Sequence, residues 1–193
     1  MRRSAFVLIF DGFADWEPAS ALAELRRSFG FSIRTLGRDS QTAESMAGLK
    51  IAADLSLAQF DPEWADVLIL PGGDSWMERE HPGVSSILRT MASASRPLAA
   101  ICAATLALAH AGLLDERLHT SNGAGFIEKY VPGYRGQRHY RAERAVSDRG
   151  VITANGLSPF AFAAEIFRAM VPQRSGDIAK YEALYSRGLL DGP

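Results

Sequence analysis

The sequence predicts an α/β protein: a doubly wound, flavodoxin-like three-layer sandwich with a mostly parallel central sheet and a cysteine nucleophile elbow. Three observations carry this. Residues 4–10 (SAFVLIF), 66–70 (DVLIL) and 98–101 (LAAI) are short apolar runs. Such runs are strands buried on both faces, the condition of a parallel sheet. Segments of helical spacing alternate with them, as βαβ units require. Finally, the sole cysteine, Cys102, stands where an apolar run gives way to an alanine-rich helical run, the strand–turn–helix pattern of a nucleophile elbow. At 193 residues without repeat or linker, the chain suits one domain, 1–193.

In chain order, the strand at 4–10 ends at Asp11-Gly12. A helix follows over 17–29, with Ala21, Leu22, Leu25 and Phe29 on one side and Glu24, Arg26 and Arg27 on the other. Gly30 is placed to stop it. Residues 31–36 form the next strand, and 43–51, centred on Met46-Ala47-Gly48, a small hairpin. The strand at 66–70 stops at Pro71-Gly72-Gly73. Residues 84–95 are helical, 98–101 extended and 103–113 helical. A late strand at 151–154 precedes helices at 159–170 and 177–189. Sheets of this class bind ligands beyond the carboxyl ends of their strands. Three such ends carry suggestive sequence: Asp11-Gly12 ahead of Glu17, Pro71-Gly72-Gly73-Asp74, and Cys102.

Composition narrows the partners. A net charge of −1 offers nothing to nucleic acid or an anionic membrane. The apolar run at 5–10 is too short for a signal peptide core or a membrane span. One cysteine excludes an internal disulfide and suits the cytoplasm. No His, Cys, Asp and Glu share metal-ligand spacing, and no nucleotide-binding glycine motif occurs, so neither metal nor cofactor is expected.

A lone cysteine in an apolar stretch is, by base rate, a packing residue. Here Ala100 and Ala104 supply the small neighbours an elbow needs, and a helix N-terminus beside the thiol favours the thiolate. Glu17 needs no role beyond complementing a helix dipole. Its functional reading is a carboxyl at the crevice floor, kept protonated by burial and donating to a thiolate. Asp15 competes for that place and reads as the N-cap of the same helix. Gly72 and Gly73 form either a plain turn or one half of an oxyanion hole completed by the Ala103 N–H. His119, beyond one helix and a turn from Cys102, is either a hydrogen-bonded core histidine or a base returned to the strand ends. His81, His110 and His139 lack that context. Phe13, Trp16, Trp76 and Asn122 are the candidate pocket walls, Trp76 being equally a core residue.

With these residues placed, the chain resembles the ThiJ/PfpI family of the class I glutamine amidotransferase-like superfamily. The likeness runs through Gly12-Phe13-Ala14-Asp15-Trp16-Glu17, Ile69-Leu70-Pro71-Gly72-Gly73-Asp74, Ala99-Ala100-Ile101-Cys102-Ala103-Ala104, Leu118-His119-Thr120 and Ile152-Thr153-Ala154-Asn155-Gly156. It is nearest a bacterial subgroup labelled protease or amidotransferase-like. The resemblance implies Cys102 as nucleophile and Glu17 as its protonated partner. It also implies Gly72 or Gly73 with Ala103 as oxyanion donors, His119 as the nearby histidine, and a homodimer with the pocket near the interface. Two departures matter. The protease branch has histidine directly after the cysteine, where this chain has Ala103. Glutaminase domains carry a late His-x-Glu, where this chain has Asn155-Gly156-Leu157-Ser158-Pro159. The resemblance therefore implies a cysteine-dependent enzyme acting on a small carbonyl or acyl metabolite, glyoxalase/deglycase-like or amidase-like. Its alternative is a redox-sensing or stress-response protein oxidised at Cys102.

Overall fold

The computed structural model describes residues 3–39 and 41–187. The elements run β1 (Ser4–Ile9), α1 (Trp16–Arg27), β2 (Ser32–Gly37), β3 (Thr42–Glu44), β4 (Lys50–Ala52), β5 (Leu55–Ser56), β6 (Val67–Leu70), α2 (Ser75–Glu78), α3 (Pro82–Ser93), β7 (Leu98–Ile101), α4 (Thr105–His110), α5 (Phe126–Tyr130), β8 (Ala145–Asp148), β9 (Val151–Ala154), α6 (Pro159–Met170) and α7 (Ser175–Arg187). Seven strands make one sheet in the order β5-β2-β1-β6-β7-β9-β8. All its pairings are parallel except the edge pair β8–β9. The hairpin β3–β4 is separate and antiparallel.

Strand periodicity divides the core into two layers. Phe6, Leu8, Leu68, Leu70, Leu98 and Ala100 belong to one, with Leu88 and Met91 of α3 and Leu106 and Leu108 of α4. Ala5, Val67, Ile69, Ala99 and Ile101 belong to the other, with Ala21 and Leu25 of α1 and Phe162 and Phe167 of α6. Apolar groups are thus buried on both faces, which is why these strands read as continuous apolar runs.

The order of the strands positions the site. From β1 the chain moves outward to β2 and β5, then returns across β1 to β6, β7 and β9. The direction of winding therefore reverses between β1 and β6, where a crevice opens at the carboxyl ends. The three predicted chain segments leave the sheet here, after β1, β6 and β7. The hairpin closes on the same end: Gly12 N donates to Glu44 O, Met46 N to Phe13 O, and Glu44 N to Asp11 Oδ1.

Differences from the sequence reading have local causes. The helix expected over 103–113 begins as a 3-10 turn at Cys102–Ala104 and is α-helical only over Thr105–His110, with Gly112 at φ +73° beyond it. The helix expected over 84–95 starts at Pro82, whose fixed φ suits a first helical turn. The short elements β5, β8, α2 and α5 lack long apolar or amphipathic runs and were not anticipated. Of the terminal helix, α7 accounts for 177–187; positions 188 and 189 lie outside the described residues. Among the described residues no helix is long and apolar enough to cross a membrane.

Leu98 begins the strand that carries Cys102 and has no exposed surface. Leu98→Ala is expected to destabilise the protein by about 2–5 kcal/mol, read as a lower denaturant midpoint with unchanged slope.

Candidate active site

Strand β7 delivers Cys102 with φ 61°. A positive φ on a residue with a Cβ costs roughly 1–3 kcal/mol and persists only where its surroundings enforce it. The side chain lies beside Glu17, which enters from the first turn of α1 with only 2% of its surface exposed. A hydrogen bond joins the carboxyl and the thiol. The other carboxyl contact comes from the turn after β6, where Gly72 N donates to Glu17 Oε2 at 2.6 Å.

Two glycines close on this pair. A Cβ at Gly72 would lie 2.7 Å from Glu17 Oε2 and 2.8 Å from Cys102 Cβ. A Cβ at Gly156 would lie 2.9 Å from Cys102 Sγ and 3.3 Å from Glu17 Oε1. Neither position has room for a side chain. Gly156, just past β9, was not among the predicted site residues. A glycine following another buried strand was the available signal.

Asn122 completes the surroundings of the sulfur. Its Oδ1 accepts from Gly156 N at 3.0 Å, which leaves the amide nitrogen to face Cys102 Sγ at 3.2 Å. Since an N–H can only donate, the Gly156 contact fixes which way the amide is turned. The Ala103 N–H also bonds to the sulfur.

Burial raises the Glu17 pKa, while the bonds from Gly72 and Cys102 restrain the rise. Burial likewise pushes the Cys102 thiol up, and a negative Glu17 pushes it further; Asn122 and Ala103 pull it down. The expectation of a thiol acidified by a helix N-terminus is therefore corrected. The α-helix begins only at Thr105, and burial outweighs the neighbouring donors. The contribution from Glu17 is conditional: a protonated carboxyl carries no charge and donates to the sulfur instead.

The other candidates separate clearly. His119 has no exposed surface; its Nδ1 pairs with Arg117 O at 2.7 Å and its Nε2 with the Tyr134 hydroxyl. It lines no part of the cavity over Cys102, so the chain does not return it to the thiol. The Gly72 N–H is already engaged by Glu17. Gly73 packs against the Phe10 ring and Gly12 O. Asp15 occupies the N-cap position without a side-chain cap bond, and its buried Oδ1 has no hydrogen-bond partner. Trp76 is core: it lies edge-on to Phe10 and donates from Nε1 to Pro71 O, bracing the Pro71-Gly72 turn. Phe13 is buried against Phe10. Trp16, 52% exposed, does flank the thiol. With Asn122, Tyr140, Asn155 and Leu157 it lines an open cavity of about 650 Å³ above Cys102 and Glu17. Among the described residues, no group of three or more His, Cys, Asp or Glu is placed to hold a metal.

Residues 3–169 match the model of the DJ-1/PfpI family. The chain is 33% identical over 175 residues to the "uncharacterized protease YoaZ" of Bacillus subtilis (strain 168), covering 87% of this chain and 83% of that protein. It is 27% identical over 155 residues to the "glutathione-independent glyoxalase DJR-1.2" of Caenorhabditis elegans, covering 78% and 80%. Among solved structures, a DJ-1 superfamily protein from Agrobacterium tumefaciens superimposes with a TM-score of 0.85 at 35% identity, covering 95% of this chain and 99% of that one.

Gly156 has an ordinary φ, so Gly156→Ala loads only the thiol–carboxyl contact. Its alkylation by iodoacetamide is expected to fall by about 10-fold, the equivalent of one net hydrogen bond, while the protein stays folded. Glu17→Gln keeps an acceptor for Gly72 N but cannot ionise. The raised native pKa means that wild-type stability falls as pH rises from the unfolded carboxyl value through the native one. The variant should therefore match wild type most closely at about pH 4 and exceed it at about pH 8, measured by urea unfolding.

Proposed function

The chain belongs to the DJ-1/PfpI family, and on that premise we propose that it is a cysteine-dependent enzyme acting on a small electrophilic carbonyl metabolite, of the 2-oxoaldehyde kind, through Cys102. The observation that carries this reading is the contact between the Glu17 carboxyl and the Cys102 thiol, at the floor of an open cavity. Two acids in contact, Glu17 buried and Cys102 half-buried, favour holding one proton between them, since ionising both opposes two like charges. Moving that proton to the carboxyl leaves a thiolate facing Asn122 and Ala103.

The sulfur then attacks the aldehyde carbon. A C–S bond forms, the carbonyl electron pair moves to oxygen, and Glu17 supplies the proton that yields a neutral thiohemiacetal. Glu17, now a carboxylate, removes the hydrogen of that carbon as a proton. The same proton returns to the neighbouring carbon while the hydroxyl proton passes from the first oxygen to the second through an enediol, giving a thioester of a 2-hydroxy acid. Water cleaves the thioester and restores the thiol. The net reaction adds one water to the 2-oxoaldehyde and needs no external oxidant. The Caenorhabditis elegans relative named as a glyoxalase supports this class. Proteolysis, which the name of the Bacillus subtilis relative suggests, is less well served: Ala103 follows the nucleophile, and the His119 ring is engaged elsewhere.

Methylglyoxal is the test substrate. Wild type should convert it to lactate; Cys102→Ser should abolish turnover, and Glu17→Gln should lower it at least about 100-fold, the usual scale for losing a general acid–base. Equal rates in wild type and Cys102→Ser, or none in either, would remove the proposal. His119→Gln should lower the melting temperature yet leave the rate per folded molecule within about 3-fold, because one ordinary core substitution costs stability rather than catalysis. A loss comparable to that of Glu17→Gln would return His119 to the chemistry.

A further inference from the structure

We propose that the Thr105 and Ser121 hydroxyls form a latch that holds the strained Cys102 elbow against the loop carrying Asn122, making Thr105 a positioning residue for the thiol. The latch lies behind the nucleophile. Thr105 Oγ1 donates to Cys102 O at 2.8 Å and lies 2.7 Å from Ser121 Oγ. The backbone N–H of Thr105 also reaches Cys102 O. Thr105 has no exposed surface and Ser121 only 2%, so water does not substitute readily for these bonds.

Counting protons fixes their direction. A threonine hydroxyl has one proton. Thr105 uses it on the Cys102 carbonyl, so toward Ser121 it is the acceptor and Ser121 the donor. Reversing the pair would withdraw a hydroxyl donor from the carbonyl of the residue at φ 61°, where the backbone most needs restraint. A buried hydroxyl pair fully satisfied in one direction acts as a rigid element.

The pair also links two halves of the thiol's environment. Ser121 precedes Asn122, whose amide faces Cys102 Sγ. The loop is itself anchored: Thr120 N donates to Thr153 Oγ1 at 2.9 Å, Thr120 Oγ1 to Glu143 O at 2.9 Å, and Gly156 N to Asn122 Oδ1. A closed circuit therefore runs from the Cys102 carbonyl through Thr105 and Ser121 to Asn122 and back to the Cys102 sulfur. Loss of the Thr105 hydroxyl frees both the elbow torsion and the distance from sulfur to amide. Packing alone does not require that hydroxyl, since valine has the same shape.

The test reads the thiol rather than turnover. The alkylation rate of Cys102 by iodoacetamide is measured against pH by intact mass for wild type, Thr105→Val, Thr105→Ser and Ser121→Ala, each with its melting temperature. Thr105→Val should react about 10-fold more slowly at neutral pH, with its midpoint moved upward, the scale expected for one buried hydrogen bond. Thr105→Ser, which keeps the hydroxyl, should recover to within about 2-fold of wild type. Ser121→Ala should fall between them. A wild-type profile in Thr105→Val overturns the latch; so does an equal loss in Thr105→Ser, which would assign the effect to the methyl group. If Thr105→Val does not fold, Ser121→Ala decides alone: a shifted midpoint supports the latch and a wild-type profile overturns it. The inference needs an accessible thiol but no particular substrate, so failure of methylglyoxal turnover leaves it standing.

Discussion

The contact between one carboxyl and one thiol, with no room on either side, is the constraint that the rest of the site serves. Glu17 and Cys102 come from helices that start after different strands, and each is costly to bury as an ion. Gly72 and Gly156 bring main chain close to the pair where any side chain would collide. Gly72 contributes more than space, because its N–H donates to Glu17 Oε2. Removing water and adding only a few directed donors makes the pair's shared proton sensitive to anything that arrives above it.

The parallel sheet provides that closeness. The β1, β6, β7 and β9 strands are neighbours in the order β1-β6-β7-β9, so the segments after their carboxyl ends meet within a few strand spacings. Glu17, Gly72, Cys102 and Gly156 each follow one of these four strands. Within the site the strain falls on Cys102, whose φ of 61° lifts the sulfur off the strand end. Ala100 and Ala104 accept that turn because neither has a branch to collide with it.

How much of this was legible in the sequence depends on the kind of signal. Buried parallel strands are nearly uniform apolar runs, so β1, β6, β7 and β9 stood out. The edge strands β5 and β8 pair on one side only, and Leu55-Ser56 or Ala145-Val146-Ser147-Asp148 carries no such run. At the site, Cys102 and Glu17 were recognisable because chemistry restricts their residue types and positions. Asn122 was marked as a wall, but its bond to the sulfur depends on a loop whose path no periodicity encodes. Asp15 takes the N-cap position without the cap bond expected of it, Trp76 takes the core alternative, and His119 lies away from the thiol. Spacing along the chain brings a residue near an element's end, whereas the direction of a side chain is decided by the partners it finds there: Trp76 turns back to Pro71 O, and His119 is held between Arg117 O and the Tyr134 hydroxyl.

The displacement of His119 has a chemical consequence for the proposed reading. Around the sulfur, Asn122 and the Ala103 N–H donate hydrogen bonds but have no proton to exchange near neutral pH. Glu17, in contact with the thiol, can both give and take one. Acid–base chemistry run through that carboxyl suits the proposed sequence, in which a proton leaves one carbon and returns to the next, with water entering last. Peptide cleavage asks for more, since the departing amine must be protonated while the nucleophile remains ionised. Under the proposed reading a 2-oxoaldehyde suits a carboxyl set against the thiol, because the proton taken from one carbon returns to the next through the same group. Burial of Glu17 raises its pKa, so the carboxyl holds its proton to higher pH than an exposed one would.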